Sequence, residues 1–125
     1  MEDRRGHRVG WLLDVEERAA LLRRFPPRYA RVVAEHVTLP VPRAEEPAPL
    51  PAPTRGEVVG RADDGAGVEA LVVAIDGSSR RVDGGTWHCT WSLATGREAR
   101  ESNDLLAHGW TPIGPVPLSL TPGRW

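Results

Sequence analysis

Thr86-Trp87-His88-Cys89-Thr90-Trp91-Ser92-Leu93 reads as a β-strand, and that reading decides the fold. Side chains along a strand alternate between two faces. One face carries Trp87, Cys89, Trp91 and Leu93, all apolar and suited to a core. The other carries Thr86, His88, Thr90 and Ser92, a row of hydroxyls around an imidazole that suits an anion. The pattern has an echo upstream. His36-Val37-Thr38-Leu39 repeats the order His-x-Thr-apolar found in His88-Cys89-Thr90-Trp91.

Outward from this stretch, the rest of the chain supplies partners for it. Val68 to Ile75 is apolar on both faces from Ala70 on, so it reads as a central strand covered on both sides. Gly56 to Arg61 precedes it across the turn Asp63-Asp64-Gly65-Ala66-Gly67, a hairpin signal. The loop holding Arg80-Arg81-Val82 leads from the central strand into the His88 strand, so these two form a long hairpin. The other His-x-Thr lies in Arg31 to Leu39, a second strand ended by Pro40. His7 to Leu13 reads as the first strand, with Trp11 in the core. Asp14 is then a helix N-cap and Glu17 completes a capping box. Leu21, Leu22 and Phe25 make an apolar helical stripe over 15–25, stopped by Pro26-Pro27.

Residues 40–54 are dense in proline and read as an extended surface loop. Ser102 or Asn103 is positioned to cap a short helix over Asp104 to His108, with Gly109 as its stop. Thr111 to Leu120 alternates Pro with Ile, Val and Leu, the composition of an edge strand. The expectation is about six strands and two helices: an α+β fold, mostly antiparallel, as a single domain over 1–125.

Composition bounds the function. The chain has 125 residues, 40 % hydrophobic and 26 % charged, ordinary for a globular protein with its own core. No stretch approaches the roughly 18 apolar residues of a membrane span. With no signal-peptide core after Met1 and a single cysteine, Cys89, the sequence reads as cytoplasmic. The net charge of −1 gives no global basic footprint for duplex nucleic acid, so any nucleic-acid partner should be a short or terminal piece. All basic side chains are Arg or His, which excludes lysine-nucleophile chemistry.

Two His-x-Thr strands facing each other across a groove suit one reaction well, the opening of a cyclic phosphodiester by water. The nucleophile and the leaving oxygen sit in line across phosphorus. One imidazole takes a proton from water and the other gives one to the leaving alkoxide. Each Thr, on the same face as its His, donates a charge-assisted hydrogen bond to a non-bridging oxygen. No metal or other cofactor is required. His88 and Cys89 point to opposite faces of their strand and no metal-ligand spacing is present, which argues against zinc. Cys89 belongs in the core beside Trp87 and Trp91. Arg81, with Arg80, lies within reach of a phosphate from its loop. His7 reads as solvated, His108 as a helix-end cation, and Trp110 as core; Tyr29 is open between core and base platform.

His36-Val37-Thr38-Leu39 and His88-Cys89-Thr90-Trp91 resemble the paired His-x-Thr/Ser-x motifs of the two-histidine (2H) phosphoesterase superfamily, which includes the LigT-like enzymes. The block from Ala70 through Leu106 is most similar to the short RNA-repair-associated branch. The resemblance implies a bilobal α+β fold with pseudo-two-fold symmetry and a groove for a 2′,3′-cyclic or 2′-linked phosphodiester. By the same resemblance His36 and His88 are the acid/base pair and Thr38 and Thr90 the phosphate donors. The implied partners are an RNA terminus or a small cyclic or 2′-linked nucleotide, and a companion RNA-repair kinase or ligase. The alternative is a non-catalytic module of the same fold that binds RNA ends or cyclic nucleotides. The chain is shorter than the usual LigT-like enzyme, and a proline-rich segment lies between its motifs, which favours a small substrate or an RNA terminus.

Overall fold

An apolar run without alternation needs cover on both faces, and Val68–Ile75 has it, with all eight residues buried. The computed structural model describes residues 6–125. In chain order it contains β1 (Val9–Leu13), α1 (Val15–Arg24), β2 (Arg31–Val32), β3 (His36–Leu39), β4 (Thr54–Asp63), β5 (Val68–Ile75), β6 (His88–Leu93), α2 (Glu101–Ala107) and β7 (Thr111–Arg124). Among the described residues the seven strands make one sheet in the order β2-β6-β5-β4-β7-β1-β3. Every pairing is antiparallel, and the sheet curls into a half-barrel. The curl brings β3, on one edge, against β6 near the other. The architecture is α+β with two α-helices, as expected, with one strand more than expected.

The core fills the inside of the curl. Trp87, Cys89 and Trp91 of the β6 segment pack with Trp11, Leu21, Phe25, Val37, Leu71 and Leu118. Trp11 and Trp87 meet edge to face, centroids 5.6 Å apart, the arrangement their ring quadrupoles favour. Two indole N–H groups donate to loop carbonyls, Trp11 to Ala52 at 2.8 Å and Trp91 to Phe25 at 2.8 Å. The Ala52 bond ties the proline-rich connection to β1. A smaller cluster of Ala62, Ala70, Val72 and Leu106 seats α2 on the opposite face.

Several local expectations are corrected, each for a physical reason. Arg31 to Leu39 is two strands, not one. Val33 and Ala34 donate to the carbonyls of Trp91 and Thr90, and the Glu35 carbonyl then accepts from Leu13, so the chain passes from β6 to β1 within three residues. Ala34 makes the crossing at φ 45°, and Arg18 of α1 donates to its carbonyl oxygen. Asp14 does cap α1, accepting from the Glu17 N–H at 3.0 Å. Glu17 does not complete a capping box; its carboxylate accepts from the backbone N–H and the hydroxyl of Ser119 instead. Helix α2 starts at Glu101, so Ser102 and Asn103 lie inside it rather than capping it. Strand β7 is not at the edge of the sheet; it joins β4 to β1. Its prolines are tolerated because each flank is paired along a different half: residues 111–120 pair with β4, residues 120–124 with β1.

One charged side chain sits inside the apolar run. Glu69 is fully buried in β5. Its carboxylate accepts from Arg61 Nε at 2.8 Å, Ser92 Oγ at 2.7 Å and the Arg28 backbone N–H at 3.0 Å. A buried carboxylate persists only when paired and hydrogen-bonded in this way.

Candidate active site

The site is built from the two strands that the curl brings together. Strand β3 leaves the β6-to-β1 crossing with His36 first and Thr38 on the same face. Strand β6 opens on His88, with Thr90 following. A small cavity of about 160 Å³ is lined by His36, Thr38, His88, Thr90 and Arg81, together with Arg8, Pro40, Ala99, Arg100 and Asn103. All five residues singled out from the sequence therefore line one cavity.

The two histidines are held differently. His88 Nδ1 lies 2.8 Å from the Thr86 carbonyl oxygen. A carbonyl only accepts, so Nδ1 carries the proton and the neutral ring keeps its lone pair on Nε2. His36 stacks on Trp125, centroids 4.1 Å apart and planes inclined by 31°. Its Nδ1 is buried without a hydrogen bond among the described residues, and the Glu35 carboxylate lies 3.6 Å away. Burial pushes both imidazoles below the ordinary 6.5. For His36 the Glu35 carboxylate works against that shift and Arg8 adds to it. For His88 the Thr86 carbonyl opposes it, while Arg81 and His36 add to it. Burial thus favours the neutral form of each ring.

The two threonines also differ. Thr90 is buried, its hydroxyl 3.0 Å from Ser102 Oγ and 3.3 Å from the Ala99 carbonyl oxygen that accepts from it. Its proton is therefore already engaged, and the hydroxyl is anchored to the start of α2. Among the described residues Thr38 has no such partner, and it is only half-buried. Arg81 makes two bonds to Asp83, at 2.9 and 3.1 Å, and a third to Asn103 Oδ1 at 3.1 Å. That pairing holds the Asp83 carboxyl below its usual range. It fixes the guanidinium at the cavity wall and offsets part of its charge.

Arg8, Arg100 and Asn103 escaped the sequence reading, and two of them have a traceable cause. Arg8 joins because β1 pairs with β3, with Gly10 opposite Thr38 and Val9 opposite Leu39. Asn103 joins because α2 begins early enough to set it beside Arg81. Only the strand pairing could have revealed the first, and only the true helix start the second.

Other expectations separate from the site. Ser92 does not share the polar face with His88. A shift in the β5–β6 pairing leaves Trp91 as an extra residue, and Ser92 bonds Glu69 instead. Cys89 is a core thiol, pushed up to about 12 by burial, which removes it as a nucleophile. His7 is not solvated but half-buried, its Nδ1 3.4 Å from Glu46 Oε2. His108 ends α2, its Nδ1 2.8 Å from the Asp104 carbonyl oxygen. The Tyr29 phenol is engaged by Asp63, which raises its pKa. Trp110 is not in the core: it is 37 % exposed and lies over Gly60, where a Cβ would collide with the indole. It borders a larger cavity of about 540 Å³. The arginines there are already paired, Arg28 with Asp63 and Arg61 with Glu69, so size does not make it the chemical site.

Comparisons with protein-family models, with curated proteins and with solved structures returned no match.

Proposed function

We propose that the protein is a metal-independent phosphodiesterase that opens cyclic 2′,3′- or 2′-linked nucleotide phosphodiesters, including those at RNA ends, by two-histidine acid/base catalysis. One observation carries this reading: two His-x-Thr pairs, from strands at opposite sides of a curled sheet, line a single cavity beside Arg81 and Arg8. Together they offer an anion guanidinium groups, a threonine hydroxyl and two imidazoles. A phosphate entering between the histidines raises the proton affinity of both. One ring, still neutral, accepts the proton of the attacking water; the other, protonated beside the anion, donates to the leaving oxygen. Thr38, the hydroxyl without a protein partner among the described residues, donates to a non-bridging oxygen. Thr90 acts through its bonds to Ser102 and Ala99, which fix the far wall.

The two-lobed LigT-like arrangement belongs to the same proposal, each His-x-Thr strand standing for one lobe. The site is small, which favours a nucleotide or an RNA terminus over a polynucleotide track. The test is hydrolysis of 2′,3′-cyclic nucleotides, and of a short RNA ending in a 2′,3′-cyclic phosphate, by protein treated with EDTA. Ring opening that disappears in both His36→Ala and His88→Ala is the expected result. Binding without turnover would make the protein a non-catalytic reader of the same ends.

A further inference from the structure

The histidine cavity does not end at Thr38. Arg8, Thr38 and Pro40 also line a second chamber of about 250 Å³. Its remaining walls are of two kinds. Val9, Leu39 and Val41 are apolar, whereas His7 and Glu46 form a polar end. Among the described residues His7 Nδ1 is buried there without a hydrogen bond, 3.4 Å from Glu46 Oε2, a separation too long to satisfy it fully. The phosphate cavity alone, at about 160 Å³, is below the roughly 300–1,000 Å³ of small-molecule sites. It accommodates a phosphate and the adjoining sugar atoms. The three shared residues set the two chambers side by side, and together they reach the usual range.

We propose that the second chamber receives the nucleobase of the substrate. This rests on the phosphodiesterase-site reading and assigns a place to the base of the nucleotide proposed there. A nucleobase has apolar faces and a polar edge. The faces meet Leu39, Pro40 and Val41, and the edge meets His7. Arg8 and Thr38 stand at the junction, where the phosphate turns toward the sugar.

The experiment measures binding of two probes to the full chain by calorimetry or competition. One is a 2′,3′-cyclic nucleotide; the other is methyl ribofuranoside 2′,3′-cyclic phosphate, which keeps the sugar and phosphate and lacks the base. The nucleotide should bind at least about tenfold more tightly. Val41→Phe, with its folding checked by its melting transition, should shrink that ratio by filling the chamber. His7→Ala, which removes the chamber's polar end without filling it, should shrink the ratio too and serves if Val41→Phe does not fold. Equal binding of the two probes would overturn the base chamber and leave the phosphate site standing. Binding of neither would overturn both.

Discussion

The two His-x-Thr strands carry the same motif and do different work. On β6 the motif is held on every side. β5 and β2 pair with the strand, Thr86 fixes the His88 tautomer, and Ser102 and Ala99 engage Thr90. On β3 the strand is short and, among the described residues, lies at the edge and pairs only with β1. His36 there relies on the Trp125 ring and the nearby Glu35, and the Thr38 hydroxyl has no protein partner among the described residues. One half is a rigid wall and the other an open face. Identical residue order therefore does not mean identical roles; the neighbours decide which hydroxyl is left for a ligand.

Substitutions can break this comparison. The largest effect is expected at the imidazoles: His36→Ala and His88→Ala should each lower turnover by about 10²–10⁴-fold, measured as initial rates on a cyclic nucleotide. Next is the anchor beneath the β6 half. Glu69→Ala leaves Arg61 without its buried partner and should cost about 3–5 kcal/mol in urea unfolding. Thr90→Val strands the fully buried Ser102 hydroxyl and should cost about 1–3 kcal/mol. Thr38→Val should reverse that pattern, changing stability by less than about 0.5 kcal/mol while weakening phosphate binding. If both threonine variants behaved alike, the contrast between wall and open face would fail.

The smallest effect is on stability against pH. Burial lowers both imidazole pKa values in the folded state, so the unfolded chain takes up protons first as pH falls. Their contribution is complete above the unfolded value of 6.5 and is lost as pH falls through the lowered folded values. The midpoint of thermal unfolding should therefore drop on acidification through this window. Replacing both histidines with Gln should flatten that slope. The same depression sets the maximum of the kcat/KM profile on the acid side of 6.5.

Much of the scaffold was legible. The Val68–Ile75 run gave β5 with its limits, Asp14 announced α1, and the alternation from Trp87 to Trp91 identified the core face of β6, which the pairing shift then interrupts before Leu93. What stayed hidden depends on contacts distant in sequence. Nothing around Glu69 announces that Arg61 and Ser92 will neutralise it inside the sheet. The break between β2 and β3 arises because the chain must change strand partners at Val33 to Glu35, which no propensity of Ala34 encodes. Proline in β7 suggested an edge strand, whereas the strand lies inside the sheet and pairs with different neighbours along its two halves. In the site, the motif residues could be read directly, whereas Arg8 required the β1–β3 register.

The most direct test of the central claim is an NMR titration of the imidazole side chains, with and without inorganic phosphate as the probe. If His36 and His88 act on one anion, phosphate should raise the pKa of both together from their lowered values. A phosphate response at neither ring, or at only one, would contradict a site in which two histidines share a single phosphate.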